Sequence, residues 1–477
     1  MRYIQTLILL ACMGATSAFA QYNIEFNIGG LKQGDKCILA HYYADQNKIV
    51  DTSAVNAQGK VVFKGENSLL NGVYIVVLPK KTYIEFVVPN DDQEFEIDFD
   101  TTLSPLNKAV RGSLENEVFF SFDRYALAPG QRKRELIAEF RDTATTDERK
   151  KAIRIEIKEI DDQVDAKRKA VVAENKGMFV AKLFNAVIDV EIPEHLKKDT
   201  TGKRYSWYRK HYWDNIDLTD DGMLRTPVFK GKLEYYIGKL IVQNPDTLIP
   251  LIDELITRIE KGGAQELYKY VVWWNTNHHE ESKIMCMDKV LHHMAQNYYC
   301  AGKCYWADSS LVAKMCEHAG KIGPTVCGSK TPNTTLYDTT FARPYDLHKI
   351  DAPVTVLVFW DHQCGHCKKE IPKLKQMYDT MKDRGLVVYA VYTQADWEGW
   401  KEYIRKNDLN WLNVMDAFNK ATYRKDYNII STPQVYLLDE NKIIRYKNPP
   451  AENAGRIVQL MLDQYDDRQS PVIKNDQ

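Results

Sequence analysis

Apolar and polar residues alternate with a period of two from Tyr22 to about Asp100: Ile24, Phe26 and Ile28 interleave with polar neighbours, and so do Phe95, Ile97 and Phe99. Residues 74–78 and 83–88 are β-branched and aromatic runs around Pro79-Lys80-Lys81, while Gly29-Gly30, Gln58-Gly59 and Asn71-Gly72 mark turns. This predicts a small all-β sandwich over residues 21–104. After Ser104-Pro105 the period lengthens. Ile153, Ile157, Ile160 and Val164 recur at steps of four, three and four among Lys, Arg and Glu, one face of an amphipathic helix over 147–174. Further helices are expected around 230–242, 246–261, 285–299 and 309–322, so residues 105–327 read as a central all-α domain, its charged faces solvated. Gly323-Pro324 closes the last of them, and 328–333 reads as a linker.

Beyond the linker, strand and helix patterns alternate. The near-continuous apolar run 354–360 predicts a strand covered on both faces. A helix follows over 364–383, a strand over 386–392, a helix over 397–407 and a short helix over 419–427. Strands at 434–438 and 442–446 flank a turn, and 454–466 makes a last helix. Residues 328–477 are therefore expected to form an α/β domain with a central sheet.

Length and charge narrow the classes. At ~150 residues per domain, 477 residues fit about three domains. A content of 44% hydrophobic and 27% charged residues excludes a collagen-like or disordered chain. With 64 Lys and Arg against 65 Asp and Glu, no nucleic-acid partner is expected. Residues 1–20 carry Arg2, an apolar run over 4–14 and Ser17-Ala18-Phe19-Ala20, the layout of a secretory signal peptide. Cleavage before Gln21 would place the chain in the periplasm or another extracytoplasmic space, with peripheral envelope association allowed. Leu9-Leu10-Ala11-Cys12 resembles a lipobox, but its early Cys and central Leu rank lipid anchoring below secretion. Cleavage leaves eight of nine cysteines in an oxidising compartment.

Two of the eight stand where a strand pattern gives way to a helix, in Cys364-Gly365-His366-Cys367. A helix N-terminus carries partial positive charge and free N–H groups, which stabilise a thiolate. Cys364, the outer residue, is then the nucleophile, and Cys367, one turn further in, closes a disulfide with it. His366 between them should favour the reduced form. Far along the chain, Ser431-Thr432-Pro433-Gln434 directly precedes a strand, where Pro normally loses a ladder hydrogen bond.

The order CxxC, strand, helix, Thr-Pro, hairpin, helix matches the thioredoxin topology, and residues 356–374 resemble the TlpA/ResA type of exported thiol:disulfide oxidoreductase. The likeness rests on Phe359-Trp360, the CxxC and Glu370-Ile371-Pro372-x-Leu374, with Thr335-Leu336-Tyr337-Asp338 and Tyr345-Asp346-Leu347 resembling the hairpin before that core. It implies a thioredoxin fold over about 328–466, catalysis by Cys364, Cys367 and His366, and a substrate edge at Thr432, Pro433 and Trp360. It also implies a Pro433 that is cis and faces the CxxC. No cofactor beyond the redox-active cysteine pair is expected; partners would be protein thiols and disulfides, and a membrane electron donor of the DsbD type. Two departures stand out. Gln363 replaces the usual Trp before the first Cys, and Val358 occupies the place of thioredoxin's buried acid. Asp361, Glu370 and Glu398 are candidates for nearby roles. The Gly-His pair resembles protein disulfide isomerase, so the direction of electron flow stays open, with reduction favoured. The middle segments Tyr212-Trp213-Asp214-Asn215-Ile216-Asp217 and Arg225-Thr226-Pro227, like the β domain, resemble uncharacterised domains that precede exported thioredoxin domains.

Rival readings are an envelope binding or scaffold protein with an accessory redox domain and a peroxiredoxin-like peroxidase. The peroxidase is disfavoured because Asp361 stands where an activating Thr should. Cys37, Cys286, Cys300, Cys304, Cys316 and Cys327 read as structural disulfides or inert buried thiols, with pairing open. No metal site is expected: His278-His279 and His292-His293 lack ligand spacing. The aromatic residues Tyr205, Trp207, Tyr208, Tyr212, Trp213 and Trp273-Trp274 read as core.

Overall fold

The computed structural model describes residues 21–469, so the expected signal segment and Cys12 lie outside the described residues. The chain divides into two compact units. One holds the described residues up to Ile241 together with 257–267; the other holds 242–256 and the described residues from Tyr268 onward. The helices of residues 105–327 are thus shared between the two units.

In the first unit the period-two segment forms β1 Tyr22–Gly29, β2 Lys36–Tyr43, β3 Gln46–Ala54, β4 Lys60–Gly65, β5 Gly72–Val77, β6 Tyr83–Val88, β7 Glu94–Asp100 and β8 Ala109–Arg111. They build two four-stranded sheets, ordered β4-β1-β7-β8 and β3-β2-β5-β6. Alternate residues of β1 face the core, and Phe26 meets Phe63 and Phe99 of its own sheet and Phe86 of the other edge-on. That is how two sheets share one aromatic core.

Helices follow: α1 Leu114–Arg141, α2 Asp147–Glu174, α3 Phe179–Val187, α4 Lys203–His211 and α5 Phe229–Tyr235. The expected helix over 147–174 is α2. Helix α1 is an element that the periodicity did not single out, and it runs through Pro129 and Gly130. Its start is fixed by the Ser113 cap on the Asn116 N–H at 3.3 Å. Its far half pairs with α2, where Arg149 forks onto Glu139 at 2.6 and 2.8 Å. Tertiary partners override the local signal. Asn116 also accepts from the Val87 N–H and donates to the Val87 carbonyl at 2.8 and 2.7 Å, which ties α1 to β6. Tyr212 and Trp213 are core as expected, whereas Trp273 is 47% exposed.

The helices α6 Pro245–Gly262, α7 Gln265–Glu280, α8 Asp288–Met294 and α9 Ser309–Ile322 come next. The helix expected from residue 285 starts only at Asp288, after a turn in which Cys286 is left-handed with φ 68°. Disulfides join Cys286 to Cys327 and Cys300 to Cys316, while Cys37 and Cys304 are buried free thiols. Both structural uses expected of these cysteines therefore occur. His279 is buried and His293 faces Asp253 at 2.9 Å.

The second unit ends in a seven-stranded sheet. Its elements are β9 Thr335–Tyr337, β10 Pro344–Asp346, β11 Val354–Trp360, α10 Gly365–Met381, β12 Leu386–Tyr392, α11 Trp397–Lys406, β13 Leu412–Met415, α12 Tyr423–Asp426, β14 Gln434–Asp439, β15 Ile444–Lys447 and α13 Ala451–Gln469. The strand order is β10-β9-β13-β12-β11-β14-β15, with β11, β12 and β13 parallel and β14 antiparallel to β11. All seven residues of β11 are buried. Val354, Val356, Val358 and Trp360 pack with Ile371, Leu374, Val458 and Leu462, while Leu357 and Phe359 pack with Tyr389, Tyr427 and Tyr436. The apolar run is continuous because both faces of the strand are covered.

Candidate active site

The chain leaves β11 at Trp360, turns once and enters α10. Asp361 makes that turn: its Oδ1 accepts the Gln363 N–H at 2.8 Å and its carbonyl accepts the Cys364 N–H at 3.2 Å. Cys364 is the N-cap of α10, so the helix begins one residue later than its sequence pattern indicates. Its thiol does not cap the helix; it donates to the Thr432 carbonyl at 3.2 Å. The Thr432–Pro433 peptide is cis and leads into β14 beside β11. The fold thus joins Cys364, Cys367, Thr432 and Pro433, residues up to 69 apart in sequence, at one end of the sheet.

The two thiols differ in environment. Cys364 is partly exposed and Cys367 is buried. Burial pushes the Cys364 thiol up, but hydrogen bonds from the Cys367 N–H, from Thr432 and from the His366 N–H outweigh it and hold the thiol below its ordinary value. Burial, together with the nearby Cys364 sulfur, pushes the Cys367 thiol up to about 12. A near-surface thiol that ionises readily stands over a hidden one that does not.

His366 is exposed on the first turn of α10. Trp360 departs from its expected place at the substrate edge. It is fully buried, packed edge-on to Tyr392 and tilted against Tyr403, because β11 is covered on both faces and its last side chain points inward. It can support the site but cannot touch a client. Pro433 instead lines a groove of about 260 Å³ with Leu374, Val435, Asn448 and Glu370, the last paired with Lys373 at 3.1 Å. Glu398 is exposed on α11.

Sequence reasoning passed over His362 and Asp396. Asp396 caps α11 through the Gly399 N–H at 3.0 Å, and its Oδ2 receives Gln363 Nε2 at 3.2 Å and faces His362 Nε2 at 3.4 Å. His362 Nδ1 lies 3.0 Å from the Tyr392 hydroxyl. The Asp-x-x-Gly start of α11 could have been read as a cap; nothing in the sequence marks its link to the CxxC loop.

Comparison with known proteins assigns each part. Residues 22–119 match the model of DUF4369 and residues 152–319 that of DUF5106, both domains of unknown function. Residues 327–447 match the AhpC/TSA family. Sporulation thiol-disulfide oxidoreductase A of Bacillus subtilis is 32% identical over 89 residues, 18% of this chain and 53% of its own length. The thiol-disulfide oxidoreductase ResA of Bacillus thuringiensis is 24% identical over 119 residues, 25% of this chain and 67% of its own. The chain thus spans about half to two thirds of these relatives. Among solved structures, a domain of a possible thiol-disulfide isomerase from Cytophaga hutchinsonii is 37% identical, covers 31% of this chain and 97% of its own, and superposes with a TM-score of 0.28. The C-terminal part of the chain is an AhpC/TSA-family thioredoxin-fold domain, homologous to the ResA/TlpA-type thiol-disulfide oxidoreductases.

Proposed function

We propose that the chain is an extracytoplasmic thiol:disulfide oxidoreductase that works on protein disulfides through Cys364-Gly365-His366-Cys367. The observation that carries this is the pairing of an accessible Cys364 thiol, held below its ordinary value, with a Cys367 thiol hidden behind it. In the reducing direction the Cys364 thiolate attacks one sulfur of a client disulfide and the other client sulfur leaves as a thiolate, giving a mixed disulfide. Cys367 then loses its proton and attacks Cys364 Sγ. The second client sulfur departs, the Cys364–Cys367 disulfide forms, and two electrons have passed to the client. Thr432 and Pro433 present backbone to the client, and His366 tunes the couple. A DsbD-type membrane donor would return the enzyme to its dithiol. The disulfides Cys286–Cys327 and Cys300–Cys316 support an oxidising compartment outside the cytoplasm.

The test is turnover of insulin disulfides by the full chain. Cys364→Ser is expected to abolish it and Cys367→Ala to accumulate disulfide-linked clients; activity surviving in Cys364→Ser overturns the reading. The reduction potential of the couple sets the direction: about −270 mV for a reductase, about −120 to −180 mV for an oxidant or isomerase.

A further inference from the structure

The loop between β11 and α10 and the start of α11 bring two carboxylates to one imidazole. Asp361 and Asp396 both face His362, with Asp361 Oδ1 3.9 Å from Nδ1 and Asp396 Oδ2 3.4 Å from Nε2. The imidazole side chain is 13% exposed, and Asp361 is nearly as enclosed at 15%. From β12, Tyr392 meets Nδ1 with its hydroxyl at 3.0 Å; from α11, the Tyr403 ring stands 6.2 Å away. Glu398 of α11 is turned to solvent. Among the described residues the imidazole is the ion-pair partner found for each of these two carboxylates.

The imidazole fits because of a glycine. A Cβ at Gly399 would lie 2.8 Å from His362 Nε2 and 2.5 Å from Asp396 Oδ2, so any larger residue would push the two apart. Gly399 also gives its N–H to Asp396 Oδ1, which fixes the carboxylate in place. The same carboxylate holds Gln363, the residue just before the nucleophile. Gln363 thus ties the turn before Cys364 to the start of α11.

We propose that His362 is a positioning residue for the nucleophile: in its cationic form it offsets the Asp361 carboxylate of the loop and the Asp396 carboxylate that holds Gln363, and so favours the thiolate of the next residue, Cys364. Two carboxylates without a counter-charge oppose a third negative charge nearby, and an imidazolium between them removes that opposition. Its consequence for turnover rests on the oxidoreductase reading above.

The measurement is the rate of iodoacetamide alkylation at Cys364 in the reduced full chain, followed by peptide mass spectrometry from pH 5 to 9. His362→Gln should slow alkylation near pH 6 by about tenfold, the change that one pKa unit makes in thiolate fraction. Asp396→Asn, which removes a charge and keeps a cap for α11, should speed it, and the double variant should fall between the two. A clamp that acts by shape alone would move both single variants the same way, and that result, or coincident profiles, overturns the proposal. Should His362→Gln fail to fold, Asp396→Asn decides by itself: no acceleration overturns it. A wild-type Cys364 that alkylates no faster than Cys367 would overturn both this proposal and the oxidoreductase reading, whereas a reactive Cys364 with coincident profiles sinks only the role of His362.

Discussion

The Cys364 thiol and the Thr432 carbonyl oxygen lie 3.2 Å apart although 68 residues separate them in the chain. The contact exists because β14 pairs antiparallel with β11, which brings the end of one strand to the start of the other. It places the proposed nucleophile against the backbone of the segment proposed to receive a client.

The two thiols should separate sharply in pH. Cys364 is expected to alkylate below the ordinary thiol value of 9.0, whereas Cys367 should stay unreactive until close to pH 12. Stability has a definite sign. A thiol raised in the folded state keeps its full contribution below the unfolded value and loses it as pH climbs through the folded one. Cys367, Cys304 and Cys37, raised to about 12, 12 and 11, should therefore all lower the melting temperature of the reduced chain between pH 9 and 12. A melting temperature flat across that window would contradict the burial argument.

Trp360→Ala is expected to act on stability and leave client affinity alone. Removing a fully buried Trp from a packed core costs about 3–5 kcal/mol. Chemical denaturation of the C-terminal unit reports the loss; unchanged stability with a raised KM would restore Trp360 to the substrate edge.

In the first unit, Gly72 marks a close approach. Arg225, 2% exposed, donates to the Asn71 carbonyl at 2.7 Å and to Glu266 at 2.9 Å, and a Cβ on Gly72 would lie 2.5 Å from the Arg225 Cβ. Gly72→Ala should destabilise that unit by about 1–3 kcal/mol, the usual cost of overpacking. Thermal unfolding by circular dichroism would show it as a lowered transition, with thiol chemistry at Cys364 intact.

The disulfide that closes the longer loop should stabilise more, with the logarithm of loop length. Their sequence separations are 41 for Cys286–Cys327 and 16 for Cys300–Cys316. Loop-closure entropy then gives about 4 and about 3 kcal/mol when each pair is replaced by Ala. Paired-variant denaturation in which the shorter loop mattered more would point to strain or residual unfolded structure instead.

Periodicity determined much of this protein. The alternation in β1, the four-three-four spacing in α2 and the unbroken run of β11 each report which faces are buried, and burial is what selects those residues. The CxxC at a strand-helix junction and the Thr-Pro before a strand marked both halves of the site, because each is a local device with a local signature. What the sequence could not decide depends on partners distant in the chain. Helix α1 passes through Pro129 and Gly130 because α2 and β6 hold it. Trp360 points inward because helices cover that face of β11. Cys300 joins Cys316, not its neighbour Cys304, because a disulfide follows spatial proximity. His362 meets Asp396 only because Gly399, at the start of another helix, leaves room for its ring. Spacing along the chain records which surface a residue faces; what lies across that surface is fixed only when the chain folds.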